Sequence, residues 1–241
     1  MTGEERPDST RGSESRSRCS EEVLPPISCE PFWLLSHPSW SMTFTPCSER
    51  ELYWNFACAE ANSPRYGKVY EQLPSPLLER IRGGKRDELT EQDWRVVTGA
   101  VRALRGPVIN QLIELGTDWY ETTLQIAALE QVRLLNFAPF VQLAPSRDLG
   151  AFATALDAGF DPPGDEGFGR NYRQFRKDFV ASRMVGRPIV VAPAKMGPYT
   201  EIEGLTRMCS LVSQHAAGEA VPPVVPVLLG VCLQYDFWSW K

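Results

Sequence analysis

Glu201-Ile202-Glu203-Gly204-Leu205-Thr206-Arg207 lies between a β-branched run, Arg187 to Ala192, and a short helical segment, Met208 to Gly218. The order reads as strand, tight turn and helix start. Glycine at such a turn lets the backbone come close to a ligand. The free N–H groups of the first helical turn then face outward with the positive end of the helix dipole. That is an anion site in outline, with Gly204, Leu205, Thr206 and Arg207 facing the ligand. Thr206 adds a hydroxyl, and Arg207 adds a planar fork able to hold two phosphate or carboxylate oxygens. Glu203 can accept a proton or help hold a metal. The same residues also serve as plain structure: a glycine turn, a threonine N-cap and an arginine on a solvated face.

The surrounding periodicity supplies the elements that would position this turn. Phe140 to Leu143 reads as a strand, and Arg147 to Ala158 as a helix with Leu149, Phe152, Ala153 and Leu156 on one face. Asn171 to Met184 reads as a second helix, with Tyr172, Phe175, Phe179 and Val180 inward. Strands Pro188 to Ala192 and Tyr199 to Glu203, helix Met208 to Ala217 and strand Val224 to Val231 follow. The pattern is β, α, α, β, β, α, β.

That order, with an acid, a glycine and a final arginine at the turn, resembles the ParB/sulfiredoxin-like superfamily over roughly residues 139 to 232. Chromosome-partitioning members read Gly-Glu-Arg-Arg at this turn, sulfiredoxins Gly-Cys-His-Arg, and free serine kinases Asp-Gly-His-His-Arg. Leu205 stands where a sulfiredoxin carries its reactive cysteine, and Cys209 comes too late to replace it. The kinase histidines are missing, although Glu203 matches the acidic position of that family's general base. Thr206 replaces the second arginine of the partitioning proteins, and no helix-turn-helix signal follows. The resemblance therefore implies a divergent ParB N-terminal-like nucleotide-binding domain, with a nucleotide (ATP or CTP) or phosphate pocket at Gly204 to Arg207.

Charge and composition narrow the chemistry. The 241-residue chain has a formal net charge of -5, which does not favour non-specific nucleic-acid binding by bulk charge. Yet Arg170, Arg173, Arg176, Lys177, Arg183 and Arg187 fall in one window with a single acid, Asp178, among them. On a helix Arg173, Arg176 and Lys177 share a face, which either binds phosphates or is simply solvated. The loop Pro162 to Gly169 reads as a lid whose Asp165 and Glu166 serve as base or Mg2+ ligands, or as a polar connector. Six cysteines include no Cys-x-x-Cys pair, so neither a zinc finger nor a disulfide framework is indicated. The only two histidines, His37 and His215, do not suggest an imidazole metal site or a Ser/His triad. No run approaches the roughly 20 apolar residues of a membrane helix, and residues 1–22 lack a signal-peptide core. The expectation is a soluble, cytoplasmic protein with no membrane partner.

The expected fold class is α+β: an N-terminal helical region followed by a ParB/sulfiredoxin-like mixed α/β domain. Residues 1–30 read as a disordered tail, because Met1 to Glu22 carries almost no apolar side chains. Residues 31–47 read as an extended aromatic and proline arm that packs on the domain or binds a partner. Residues 48–136 read as a helical module, and residues 137–241 as the ParB/sulfiredoxin-like domain. Within the helical module, Ser48 with Glu51 and Thr90 with Asp93 resemble capping boxes. Pro74 to Lys85 reads as loop and linker, and Gly106-Pro107 as a helix break. After Gly116, Tyr120, Leu124, Ala128, Val132 and Leu135 read as the buried face of another helix.

Two functions of different class follow. One is a nucleotide-dependent phosphotransferase or NTPase, with Glu203 as catalytic base, the turn plus Arg173 and Lys177 on phosphates, and Mg2+ bridging phosphate oxygens. The other is a non-catalytic nucleotide-binding or interaction module, with a protein partner on the helical region or a DNA partner.

Overall fold

The computed structural model describes residues 42–63, 66–180 and 184–241, all within the compact unit Ser41–Lys241. The expected tail, and the expected arm up to residue 41, lie outside the described residues.

One five-stranded sheet organises the unit, in the order β1-β2-β5-β3-β4. Its strands are β1 (Thr45–Cys47), β2 (Asp118–Gln125), β3 (Ile189–Ala192), β4 (Thr200–Glu203) and β5 (Val224–Val231). β3 and β5 are parallel and the other neighbours antiparallel. Strand side chains alternate between faces, so Ile189 and Val191 enter one core while Val190 and Ala192 enter the other. The near-continuous apolar run of β5 follows from burial on both sides.

Helices α1 (Glu49–Ala61), α2 (Gly67–Tyr70), α3 (Ser75–Arg82) and α4 (Glu91–Glu114) contribute to the core on the face of Ile189 and Leu228. Helices α5 (Ile126–Leu129), α6 (Ala138–Leu143), α7 (Leu149–Asp157), α8 (Phe168–Asp178) and α9 (Leu205–Ala216) contribute to the other. This is an α+β fold with a mixed sheet covered on both faces. Among the described residues no helix is long and apolar enough to cross a membrane.

Several elements differ from the sequence expectation, each for a physical reason. Asp118–Gln125 is a strand and not a helix. Tyr120 and Leu124, four residues apart, share a face in either structure, and pairing with β5 along the whole of β2 decides between them. The expected boundary at residue 136 is therefore no break in packing, since β2 lies inside the sheet.

Ala138–Leu143 is a helix with Pro139 in its first turn, and not the strand that the short apolar run from Phe140 suggests. Ser75–Arg82 is a helix that buries Leu77, Leu78 and Ile81, and its expected linker glycine Gly83 is the C-cap. α4 continues through Pro107, held by buried Val101, Ile109 and Leu112 on either side of the missing donor. α8 stops at Asp178, leaving Phe179 buried beyond its end and Val180 exposed. The Thr90–Asp93 capping box forms, whereas Ser48 caps α1 without a side-chain bond.

Trp119 pairs in register with Gly230 and covers it, so a Cβ there would lie 2.7 Å from Trp119 Cζ3. Gly230→Val should therefore destabilise the fold by about 1 to 3 kcal/mol through overpacking. Urea denaturation measures the loss, and unchanged stability would refute this packing.

Candidate functional site

The turn takes its shape from a register shift in the β3–β4 pairing. Ile189 faces Glu203 and Val190 faces Glu201, which leaves Ile202 as an extra residue. A bulge re-aims the side chains beside it. Ile202 thereby joins the core under α1 and α4, and Glu203 turns toward the same layer, where its charge is felt by Glu60, Tyr70 and Arg105. Gly204 follows with φ of 97°, a left-handed conformation that glycine adopts freely. A Cβ there would come within 3.0 Å of Pro188 and 3.2 Å of Arg207 Nη2. The close approach that Gly204 permits is thus to the protein's own β3 entry.

Arg207 is buried in the first turn of α9 and its fork is fully engaged. Nη1 donates to the carbonyls of Val185 and Gly186 at 2.5 and 2.7 Å, and Nη2 donates to Glu203 Oε2. The expected phosphate fork and the expected base are therefore partners of one another. On the other side of the same segment, the Arg187 amide donates to Asn55 Oδ1 of α1 at 2.9 Å. Gly186 lies so close to α1 that a Cβ would meet the Asn55 carbonyl at 3.1 Å. Segment 185–187 is pinned between α9 and α1.

A second buried pair stands nearby. Glu60, 1% exposed, accepts from Arg105 Nε at 2.7 Å and from the Tyr70 hydroxyl at 3.1 Å. Burial pushes the Glu60 carboxyl up against the pull of Arg105. Glu201 is more extreme. Its Oε2 is buried without a partner, and its carboxyl lies near the Leu205 amide at the start of α9. Burial first, and the Glu203 charge second, raise it from 4.5 to about 8 despite Arg105 and Arg207.

Of the remaining expected ligand residues, Leu205 is half-buried and packs against the second core. Thr206 is half-buried, and its carbonyl accepts from the Ser210 hydroxyl. Cys209 is buried, and burial raises its thiol far from ionisation at neutral pH.

The basic face of α8 is engaged elsewhere. Arg173 donates to the Leu156 carbonyl at 2.9 Å and faces Asp161. Arg176 bonds Asp157 and the Ser213 carbonyl. Ser213 lies roughly 9 Å up the α9 axis from Arg207, at 1.5 Å per residue. Lys177 is exposed, and Arg183 lies outside the described residues. Asp165 and Glu166 lie in the turn before α8, where the Phe168 amide donates to the Asp165 carbonyl. Among the described residues no group of three or more His, Cys, Asp and Glu is placed to hold a metal ion.

An open-sided groove of about 750 Å³ lies beside the pinned segment, walled by α1, the loop from Gly84 to Glu88, Glu121 of β2, Pro226 of β5 and Met184 to Arg187. Its cations are Lys85, Arg86 and Arg187. Arg187 bonds Glu121 at 2.5 Å, Lys85 faces Glu88 at 3.5 Å, and Arg86 is paired with Glu51. Trp54 is part of the lining, edge-on to Trp94 with centroids 6.1 Å apart.

The sequence marked Arg187 as part of a basic window but offered no signal that Lys85, Arg86 and Glu121 would join it. The chain matches no family model, no curated protein and no solved structure.

Two outcomes follow for the buried charges. Arg207→Met should cost about 3 to 5 kcal/mol, because it strands Glu203 beside two unsatisfied carbonyls. Arg207→Lys should recover only part of this, since one ammonium cannot span the three acceptors. Denaturant midpoints test both, and a stable Arg207→Met would refute the clamp.

Glu201 governs a pH dependence. The folded carboxyl titrates near 8 and the free one near 4.5, so the folded state holds a proton across that window that the unfolded chain has released. Its contribution is complete below the lower value and is lost as pH rises to the upper one. Wild-type Tm should fall from about pH 5 to about pH 8, and Glu201→Gln, which cannot ionise, should flatten the profile. An unchanged profile would exclude Glu201 as the cause.

Proposed function

We propose that the protein is a non-catalytic binding module whose groove between α1 and segment 185–187 takes a phosphate-bearing ligand, a nucleotide such as ATP or CTP. The observation that carries this reading is the meeting of Lys85, Arg86 and Arg187 in one groove of about 750 Å³, within the size range of small-ligand sites. Guanidinium groups suit phosphate oxygens because their paired N–H donors match the anion's geometry. Mg2+ would enter with the nucleotide and would supply charge neutralisation of its phosphates.

The reading is non-catalytic because a general base must reach the proton it removes. Glu203 instead holds Arg207. In this reading the Glu203-Gly204-Leu205-Thr206-Arg207 turn is the scaffold of a divergent ParB/sulfiredoxin-like domain. Arg207 and Glu203 act as positioning residues: Glu203 holds Arg207, Arg207 holds the Gly186 carbonyl, and Gly186 precedes the groove cation Arg187.

A second reading is favoured by the four carboxylates Glu51, Asp87, Glu88 and Glu121 in the same lining. A wall of both signs suits a partner-protein segment of mixed charge, docked on the helical region.

Calorimetry with ATP, CTP and GTP in the presence of Mg2+ separates the readings. Nucleotide binding without turnover is expected, and Arg187→Ala should weaken it about tenfold, equivalent to about 1.4 kcal/mol. Unchanged affinity in the folded variant would count against the groove. Nucleotide turnover would count against a non-catalytic module. No nucleotide binding at all would favour the protein partner.

A further inference from the structure

We propose that Glu51 and Glu121 are resident anions of the groove, which a ligand must displace from Arg86 and Arg187, so that the groove favours polyphosphates over ligands with one charged group. The inference rests on the groove as the binding site. Two arginines approach from different segments, Arg86 from the short 3-10 turn Arg86–Glu88 and Arg187 from the residues before β3. Each is met by a carboxylate on a regular element, Glu121 on β2 and Glu51 on α1. The carboxylates are thus fixed by strand and helix, and exchange proceeds by the arginine side chains turning to the incoming anion.

The two pairs differ in how readily they exchange. Arg187 and Glu121 are 38% and 35% exposed, so water stabilises Glu121 when Arg187 leaves, and a solvated pair of this kind is weakly held. Glu51 is only 11% exposed, so freeing Arg86 leaves a carboxylate in a poorly hydrated place. Exchange should begin at Arg187.

Two-point attachment then sets the selectivity, against an unfavourable charge balance. Glu51, Asp87, Glu88 and Glu121 face Lys85, Arg86 and Arg187 across the lining, an excess of one negative charge. A carboxylate or a single phosphate gains one arginine while standing beside the anion that it displaced. A polyphosphate can engage both arginines with one body, so the second contact carries little further entropic cost. The displaced Glu121 and Glu51 repel it as well, so its advantage over a single phosphate rests on holding both arginines at once.

The test measures inorganic phosphate, pyrophosphate and tripolyphosphate binding to the whole protein by calorimetry at constant ionic strength. Wild-type affinity should rise steeply along that series. Glu121→Gln, which keeps shape and removes charge, should tighten inorganic phosphate about fivefold, roughly what one solvated like charge at about 4 Å accounts for. Tripolyphosphate should tighten at least as much, because it too must open the Arg187–Glu121 pair, and adding Arg187→Ala should abolish the gain.

Wild-type binding of tripolyphosphate with phosphate affinity unchanged or weakened in Glu121→Gln would overturn the resident-anion proposal and leave the groove standing. No binding of any of the three anions by wild type or Glu121→Gln would overturn both.

Discussion

The Arg207 guanidinium is the contact on which the β4–α9 junction, the entry to β3 and one wall of the groove all depend. It ties together the carboxylate of Glu203 and the carbonyls of Val185 and Gly186. A loop carbonyl buried without a donor is costly, and one planar group that satisfies two of them and an anion removes three such costs at once. Lysine has the charge but not the spread. Arginine is the residue type that this geometry requires, and Gly204 and Gly186 keep the backbone close enough for it to reach.

The clamp belongs to a wider buried set. Glu60, Arg105 and Tyr70 form a second hydrogen-bonded group from α1, α4 and α2, within electrostatic range of Glu203. The bulge at Ile202 brings the two groups into range by turning Glu203 toward the helical layer. Glu201, on the other side of the bulge, remains under α9 with one oxygen unpartnered. A carboxyl so placed keeps its proton, because burial, and then the Glu203 charge, penalise its ionised form. The junction is specified by polar pairing as much as by apolar burial. Its electrostatic balance depends on which carboxyl is charged.

Segment 185–187 is what links this interior to the surface. Its inner side is held by Arg207 and Asn55, while Arg187 points its charge to Glu121 in the groove. A structural turn can thereby influence binding without touching a ligand, since the position of Arg187 is inherited from the carbonyl that Arg207 holds. The groove itself is assembled from segments distant in the chain, with α1, the loop after α3, β2 and the entry to β3 each supplying a charged or polar wall.

The sequence by itself determined the elements whose periodicity admits one solution. The apolar runs of β3 and β5, the amphipathic α7, the Thr90 capping box and the strand, glycine and helix order around Gly204 all stand where the residues place them. These signals are local, resting on side-chain spacing and backbone preference over a few residues. Only the tertiary structure decided Asp118–Gln125, because Tyr120 and Leu124 suit both periods until β5 supplies the hydrogen bonds. It alone carried α4 past Pro107, where burial on both sides compensates for one missing donor. It also decided the meaning of Arg207. An arginine in a first helical turn can face a phosphate or its own fold, and the choice lay with Val185 and Gly186, residues whose carbonyls carry no signature in the sequence.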